Sequence, residues 1–321
     1  MRHAIAALVL SCASLASAQA ATLLVVNKED ATLSFIDPAT GNSLATVGTG
    51  PSPHELEVTR DGRTAVVSNY GPQLPGGNSL SVIDIAARRE RAHVELGELR
   101  RPHGLVANGR HVYFTAEDSK HVGRLDTSTD RVDWRFPTNQ ERTHMVAASR
   151  DGATLFTANV NSNSVSIIER GADGAGRQTL VTVGAGPEGL DLTPDGRQLW
   201  VANSQSGNVS IIDVATRAVV KTFNTGTRRS NRLKFTPDGA LALVSDLTAG
   251  ELVLVDVKSQ SVKTRIPIGQ GASGILVVPD GSRAYVAAAG ERKLAVVDLK
   301  SLAVIGQIAT GGGPDGMAWV P

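Results

Sequence analysis

Short apolar runs separated by polar turns recur along the whole chain with a single spacing. Seven of them end on an acidic residue, at Asp37, Asp84, Asp126, Glu169, Asp213, Asp256 and Asp298, 42 to 47 residues apart. One repeat read in full begins at Pro187-Glu188-Gly189 and continues through Leu190 to Thr193 (strand A) to the turn Pro194-Asp195-Gly196. Gln198 to Asn203 (B), Asn208 to Asp213 (C) and Val219 to Phe223 (D) follow. Apolar and polar residues alternate in A and B, and the β-branched Val209, Ile211 and Ile212 fill C, a pattern that predicts strands of sheets stacked face to face. A four-stranded unit at this period cannot bury both faces alone, so the repeats predict an all-β protein, a β-propeller whose blades cover one another.

The turn between A and B recurs at Asp61-Gly62, Asn108-Gly109, Asp151-Gly152, Asp195-Gly196, Asp238-Gly239 and Asp280-Gly281. Such pairs suit tight hairpins because both residues tolerate positive φ. Six turns stand against seven acidic strand ends, and the termini explain the difference. Gly316 to Pro321 matches Gly274 to Pro279, so the chain stops where a seventh Asp-Gly would begin, and Thr22–Asn27, Thr32–Asp37 and Ser43–Val47 supply strands B, C and D of the same blade. The expectation is one domain over 21–321, a seven-bladed β-propeller closed by N- and C-terminal strands sharing one blade, which removes two exposed sheet edges.

The segments Leu-Trp-Val-Ala-Asn (199–203), Asn-Val-Ser-Ile-Ile-Asp (208–213) and Pro-Asp-Gly (194–196) resemble the YVTN-type β-propeller repeat of exported bacterial proteins. More loosely, the chain is similar to the propellers of lactonases, streptogramin lyases, haem d1 enzymes and nitrous oxide reductase. The resemblance covers 22–321 and implies a fold and an exported location. It implies no single activity, because propellers host many chemistries. Nitrous oxide reductase also has a nearly complete histidine set and a second copper domain, and this sequence has neither.

Residues 1–20 read as a secretory signal peptide: Arg2 and His3 form a basic start, Ala4 to Leu15 an apolar core, and Ala18-Gln19-Ala20 a small-residue cleavage site. A periplasmic or secreted protein is expected after cleavage near Ala20. A lipid anchor at Cys12 is the rival, disfavoured by Leu10 where a small residue is wanted. Removal of Cys12 leaves no thiol for a disulfide, a thiolate metal site or covalent haem attachment. Without Arg2, the 32 basic residues fall into balance with the 31 acidic ones, so no net positive field favours nucleic acid. No later stretch is apolar enough for a membrane span, and a monomer is expected.

Candidate chemistry lies where strand A begins, seven residues before the Asp of the Asp-Gly turn. Innermost strands of successive blades bring these positions to the mouth of the central channel. The ring reads His54, His103, His144, Glu188, Asn231, Ser273 and Asp315. Three of the six histidines beyond residue 20 fall on it, on consecutive blades. Neutral imidazoles with a carboxylate suit a divalent transition metal (zinc, copper, nickel or iron), making His54, His103, His144 and Glu188 the candidate metal ligands. A polar ring that only solvates the channel mouth is the alternative.

A second ring at the end of strand B, Asn27, Asn69, Ala116, Asn159, Asn203, Asp246 and Ala288, is expected to close loops through side-chain to backbone bonds. Two departures from the repeat fall on the same face. The insertion Gly71 to Gly77 lengthens the loop beside His54 in the manner of a lid, and Arg100, Arg101, Arg142, Arg228, Arg229 and Arg232 form a basic cluster. Arg232, where four other repeats have Gly, is the candidate anchor for a carboxylate or phosphate.

Three functions fit these residues. The first is a periplasmic binding propeller that holds a metal ion or small anionic ligand in the funnel. The second is a metal-dependent lactonase- or lyase-type enzyme with Glu188 and Arg232 as its candidate catalytic residues. The third is a scaffold for another exported protein.

Overall fold

The computed structural model describes residues 21–171 and 174–321; the expected signal peptide over 1–20, with Cys12, lies outside the described residues. Seven four-stranded antiparallel sheets follow one another around a ring. Blades 1 to 6 are 53–95, 102–137, 143–182, 187–224, 230–267 and 272–309, each continuous in sequence. Blade 7 joins the two ends of the chain: Pro314–Val320 is its strand A, and Thr22–Asn27, Thr32–Ile36 and Ser43–Gly48 are its strands B, C and D. Thr22 faces Val320 and Leu23 faces Trp319 in antiparallel register, so the ring is closed by paired backbone as the repeat arithmetic expects. The turn glycines Gly62, Gly109, Gly152, Gly196, Gly239 and Gly281 all have positive φ, the conformation for which the Asp-Gly pair is suited.

Burial corrects one detail of the hydrophobic pattern. Strand B was expected to alternate, yet Thr64–Asn69 is buried at every position. Alternation belongs instead to the outer strand, as in Arg89–Glu95. Strands B and C have a neighbouring blade against both faces, whereas strand D stands at the rim with one row of side chains in water. Between blades, apolar side chains from facing sheets form one cluster per interface, such as Leu24, Phe35, Leu56, Val67 and Ile83 between blades 7 and 1.

First strands of adjacent blades contact one another around the axis. Crowding there selects the residue after each ring position. At Gly274 a Cβ would stand 2.0 Å from the Asp315 carbonyl oxygen, which only glycine avoids. Three blades are spaced to admit a side chain at this level instead: Glu55, Met145 and Arg232.

Candidate functional site at the channel mouth

One backbone hydrogen bond, repeated in every blade, builds the mouth. The N–H of the residue just after strand B donates to the carbonyl of the residue two before the ring position: Tyr70 to Ser52 (3.2 Å), Glu117 to Arg101 (3.0 Å), Val160 to Arg142 (3.0 Å), and so round to Lys28 and Gly313 (3.1 Å). It brings the start of the B–C loop against the ring. Lys28, Tyr70 and Glu117 therefore become site residues, one position past the strand-B ends Asn27, Asn69 and Ala116 to which the repeat pattern points.

His103 and His144 are buried, with ring centroids 3.9 Å apart, and the half-buried His54 packs on His103 at 5.1 Å. Nδ1 of His144 bonds to the buried Glu117 carboxylate. Tyr70 donates its hydroxyl hydrogen to the same carboxylate at 2.7 Å, and Arg142 Nε lies 3.5 Å away. On the far side of the ring, His144 Nε2 stands 3.7 Å from Glu188 Oε1, beyond hydrogen-bond reach. Glu188 Oε1 also accepts from Asn231 Nδ2 at 2.8 Å. Two buried imidazole nitrogens of the ring, His103 Nδ1 and His144 Nε2, have no hydrogen-bond partner among the described residues.

Burial pushes His54 down to about 4, against the opposing pull of Asp315. His103 lies well below the usual histidine value, first through burial and then through His144 and His54 beside it. Both rings are thus neutral at pH 7, as a metal ligand must be. Glu117 is held below the ordinary carboxylate range although burial opposes it, because His144, Arg142 and Tyr70 together outweigh that cost. Tyr70 is pushed up to about 12 by burial and by the Glu117 charge.

Of the four candidate metal ligands, the structure brings His103 and His144 together with Glu117, which offer one ligand atom each within 4.8 Å of one another. His54 packs beside that group and bonds through Nδ1 to the Ser52 carbonyl at 3.0 Å. Glu188 approaches it only through His144.

Arg232 lies one level deeper. It is buried in the channel, ion-paired to Glu55 from the opposite wall and 3.8 Å from Asp315. Glu55 and Asp315 hold its charge more firmly than a free guanidinium's, although burial opposes it. Asp315 also takes Lys28 at 3.0 Å and is held down to about 2: burial opposes ionisation, but Lys28 and Arg232 outweigh it.

Above the imidazoles opens a cavity of about 740 Å³ walled by Ser52, His54, Tyr70, Arg101, Glu117 and Arg142, with Gly71, Pro72 and Gln73 of the insertion along one side. Arg101 fixes that insertion, bonding to the Gln73 carbonyl and, at 3.0 Å, to the Tyr70 hydroxyl. Of the other predicted arginines, Arg228 and Arg229 are exposed, their backbone N–H groups held by Asp246.

The asparagines of the second ring act differently from expectation. Asn27 Nδ2 donates to the hydroxyls of Thr32 (3.0 Å) and Ser34 (2.9 Å), and Asn69 and Asn159 repeat the pattern with paired serines. The sheet ladder already occupies the backbone there, so the amide turns to strand-C side chains. Asp246 alone of this ring makes the expected bonds, to four backbone N–H groups.

No curated protein matches the sequence. Similar solved structures include hydrazine synthase of Kuenenia stuttgartiensis (20% identity, TM-score 0.76, 86% of this chain and 92% of that one). A putative 6-phosphogluconolactonase of Bacteroides uniformis is similar at 16% identity and TM-score 0.80 over 94% of this chain and 100% of that one. The dihydro-heme d1 dehydrogenase NirN is similar at 14% identity and TM-score 0.65 over 92% and 74%. At such identities these likenesses establish the fold alone. A family model matches residues 99–278, more than half of the 321, and with seven closed blades it shows that the chain belongs to the YNCE-like β-propellers.

Proposed function

We propose that this is an exported propeller that binds a divalent transition metal at the channel mouth through His103 and His144, with Glu188 and Glu117 as the carboxylates. The observation that carries this reading is the pair of buried, partnerless nitrogens, His103 Nδ1 and His144 Nε2. A buried polar atom left unpaired costs about 1–3 kcal/mol, so its presence calls for a partner. The 3.7 Å from His144 Nε2 to Glu188 Oε1 supports a metal over a proton as that partner. Two ligands each about 2.0–2.1 Å from a tetrahedral zinc lie about 3.4 Å apart. Glu117 on the other nitrogen of His144 matches the carboxylate that commonly orients a metal-bound histidine. The export reading rests on the composition of residues 1–20.

Metal analysis of untagged protein from the periplasm, followed by calorimetric titration with zinc, copper and nickel, tests the reading. About one equivalent of metal is expected, lost in His103→Ala and His144→Ala. Failure of all three metals to bind, or a His103→Ala/His144→Ala double variant that binds as well as the parent, would refute it.

A second reading, a metal-dependent lactonase- or lyase-type enzyme, is favoured by the Glu117–His144 pair beneath a cavity large enough for an organic substrate. The putative lactonase among the similar structures points the same way. Metal-dependent lactone turnover lost in Glu188→Gln would establish it over the binder.

A further inference from the structure

In six of the seven blades the residue two positions before the ring is left-handed; in blade 5 Arg229 accepts the same bond without a positive φ. Blades 4, 6 and 7 place Gly186, Gly271 and Gly313 there, at φ of 67°, 74° and 61°. Blades 1 to 3 place Ser52, Arg101 and Arg142 there, at 49°, 55° and 56°. A residue with a Cβ in this conformation costs roughly 1–2 kcal/mol relative to the right-handed form, a cost glycine avoids. The backbone job is the same in all six blades, because each carbonyl accepts the same hydrogen bond from the start of the B–C loop. What the three non-glycine residues add is a side chain. All three line the 740 Å³ cavity, and each lies two residues before a ring histidine.

Two cations thus stand on the wall, but they are differently engaged. Arg101 is spent on Asp118 (3.2 Å), Tyr70 and Gln73. Arg142 stands 3.5 Å from Glu117 through Nε, and among the described residues its side chain makes no hydrogen bond. The acids of the wall are largely committed: Asp118 to Arg101, Glu141 to Lys120, and Glu117 to His144 and Tyr70. A guanidinium whose N–H groups are not taken up by hydrogen bonds is the usual means of gripping a planar or tetrahedral oxyanion. The volume, far above the ~30 Å³ of a water molecule, calls for an organic body behind that group.

We propose that this cavity is a recognition site for a small organic oxyanion, a carboxylate or a phosphate ester, held by the terminal nitrogens of Arg142 with Ser52 and the Arg101-braced insertion forming the opposite wall. The site goes beyond the metal reading and stands whether or not metal binds.

Calorimetry on EDTA-treated protein with citrate, glucose 6-phosphate and inorganic phosphate tests it. Citrate or glucose 6-phosphate is expected to bind more tightly than inorganic phosphate, and which of the two wins separates a carboxylate from a phosphate ester. Arg142→Gly should weaken that ligand about 10- to 100-fold, the loss of one charge-assisted pair. The same variant should keep or raise the melting temperature, since glycine relieves the left-handed strain. The proposal is overturned if none of the probes binds the parent below about 10 mM, if Arg142→Gly binds as well as the parent, or if that variant melts lower, which would make Arg142 a structural residue.

Discussion

Blades 1 to 3 set His54, His103 and His144 at the mouth behind Ser52, Arg101 and Arg142, whereas blades 4, 6 and 7 set Glu188, Ser273 and Asp315 behind Gly186, Gly271 and Gly313. The scaffold is the same on both sides, down to the hydrogen bond that joins the loops. The charges are handled differently. On the far side and down the channel, cations meet anions: Lys28 with Asp315, Arg232 with Glu55, and half-buried Lys234, whose charge is favoured first by Asp191 and then by Glu57. On the near side, His103 Nδ1 and His144 Nε2 have no hydrogen-bond partner among the described residues and Arg142 meets Glu117 only at 3.5 Å, although Asn231 Oδ1 on the far side also lacks a hydrogen bond. Matched buried charges hold a fold in one arrangement, while unmatched ones destabilise it unless something binds. The contrast supports the proposal that one half of the channel is structural and the other is the ligand site.

The largest effect should come from unbalancing the structural half. Arg232→Met leaves Glu55 in the channel without its cation, and a loss of about 3–5 kcal/mol is expected by chemical denaturation. Glu55→Gln added to it should restore most of that. A loss below about 1 kcal/mol would show that the pair is solvated and blur the contrast.

A smaller effect is expected on the binding half. Glu117→Gln keeps an oxygen to accept from His144 Nδ1 but loses the charge, so zinc affinity should fall about 10- to 100-fold with little change in melting temperature. Equal zinc affinity in the variant would move Glu117 from the binding half to the structural one.

The smallest effect is a slope. His54 titrates in the folded protein at about 4 against an ordinary 6.5, so between these values the unfolded chain carries more protons than the folded one. Stability of metal-free protein should therefore fall as pH drops from about 6.5 towards 4 and level off for this group below that. His54→Gln should flatten part of the decline, the buried His103 supplying the rest. Urea denaturation across that range, giving the same slope in parent and variant, would show that His54 is no more buried at the mouth than in the unfolded chain.

The seven blades and their closure were legible because each repeat carries its own local instructions: β-branched strands, the Asp-Gly hairpin, an acidic turn former. Asp37 and Asp213 close such turns by accepting from the hydroxyls of Thr40 and Thr216. The histidine ring was legible for the same reason, since a fixed offset from the hairpin means a fixed height on the axis. Arg232 was singled out as an anchor because its sequence departs from glycine. Its partner Glu55 lies 177 residues away, so no local pattern could announce that the charge is already matched. Glu117 and Tyr70 sit in loops just past a strand end, and only a hydrogen bond to the preceding loop turns them inward.

By itself the sequence determined the fold, the number of blades and which strand-A side chains stand at the mouth, because periodicity is a property of each repeat taken alone. Only the tertiary structure decided which of those side chains are satisfied by one another and which are left open. Pairing across a channel depends on distances between blades far apart in the chain, and the energy of a buried charge is set by whatever stands opposite it.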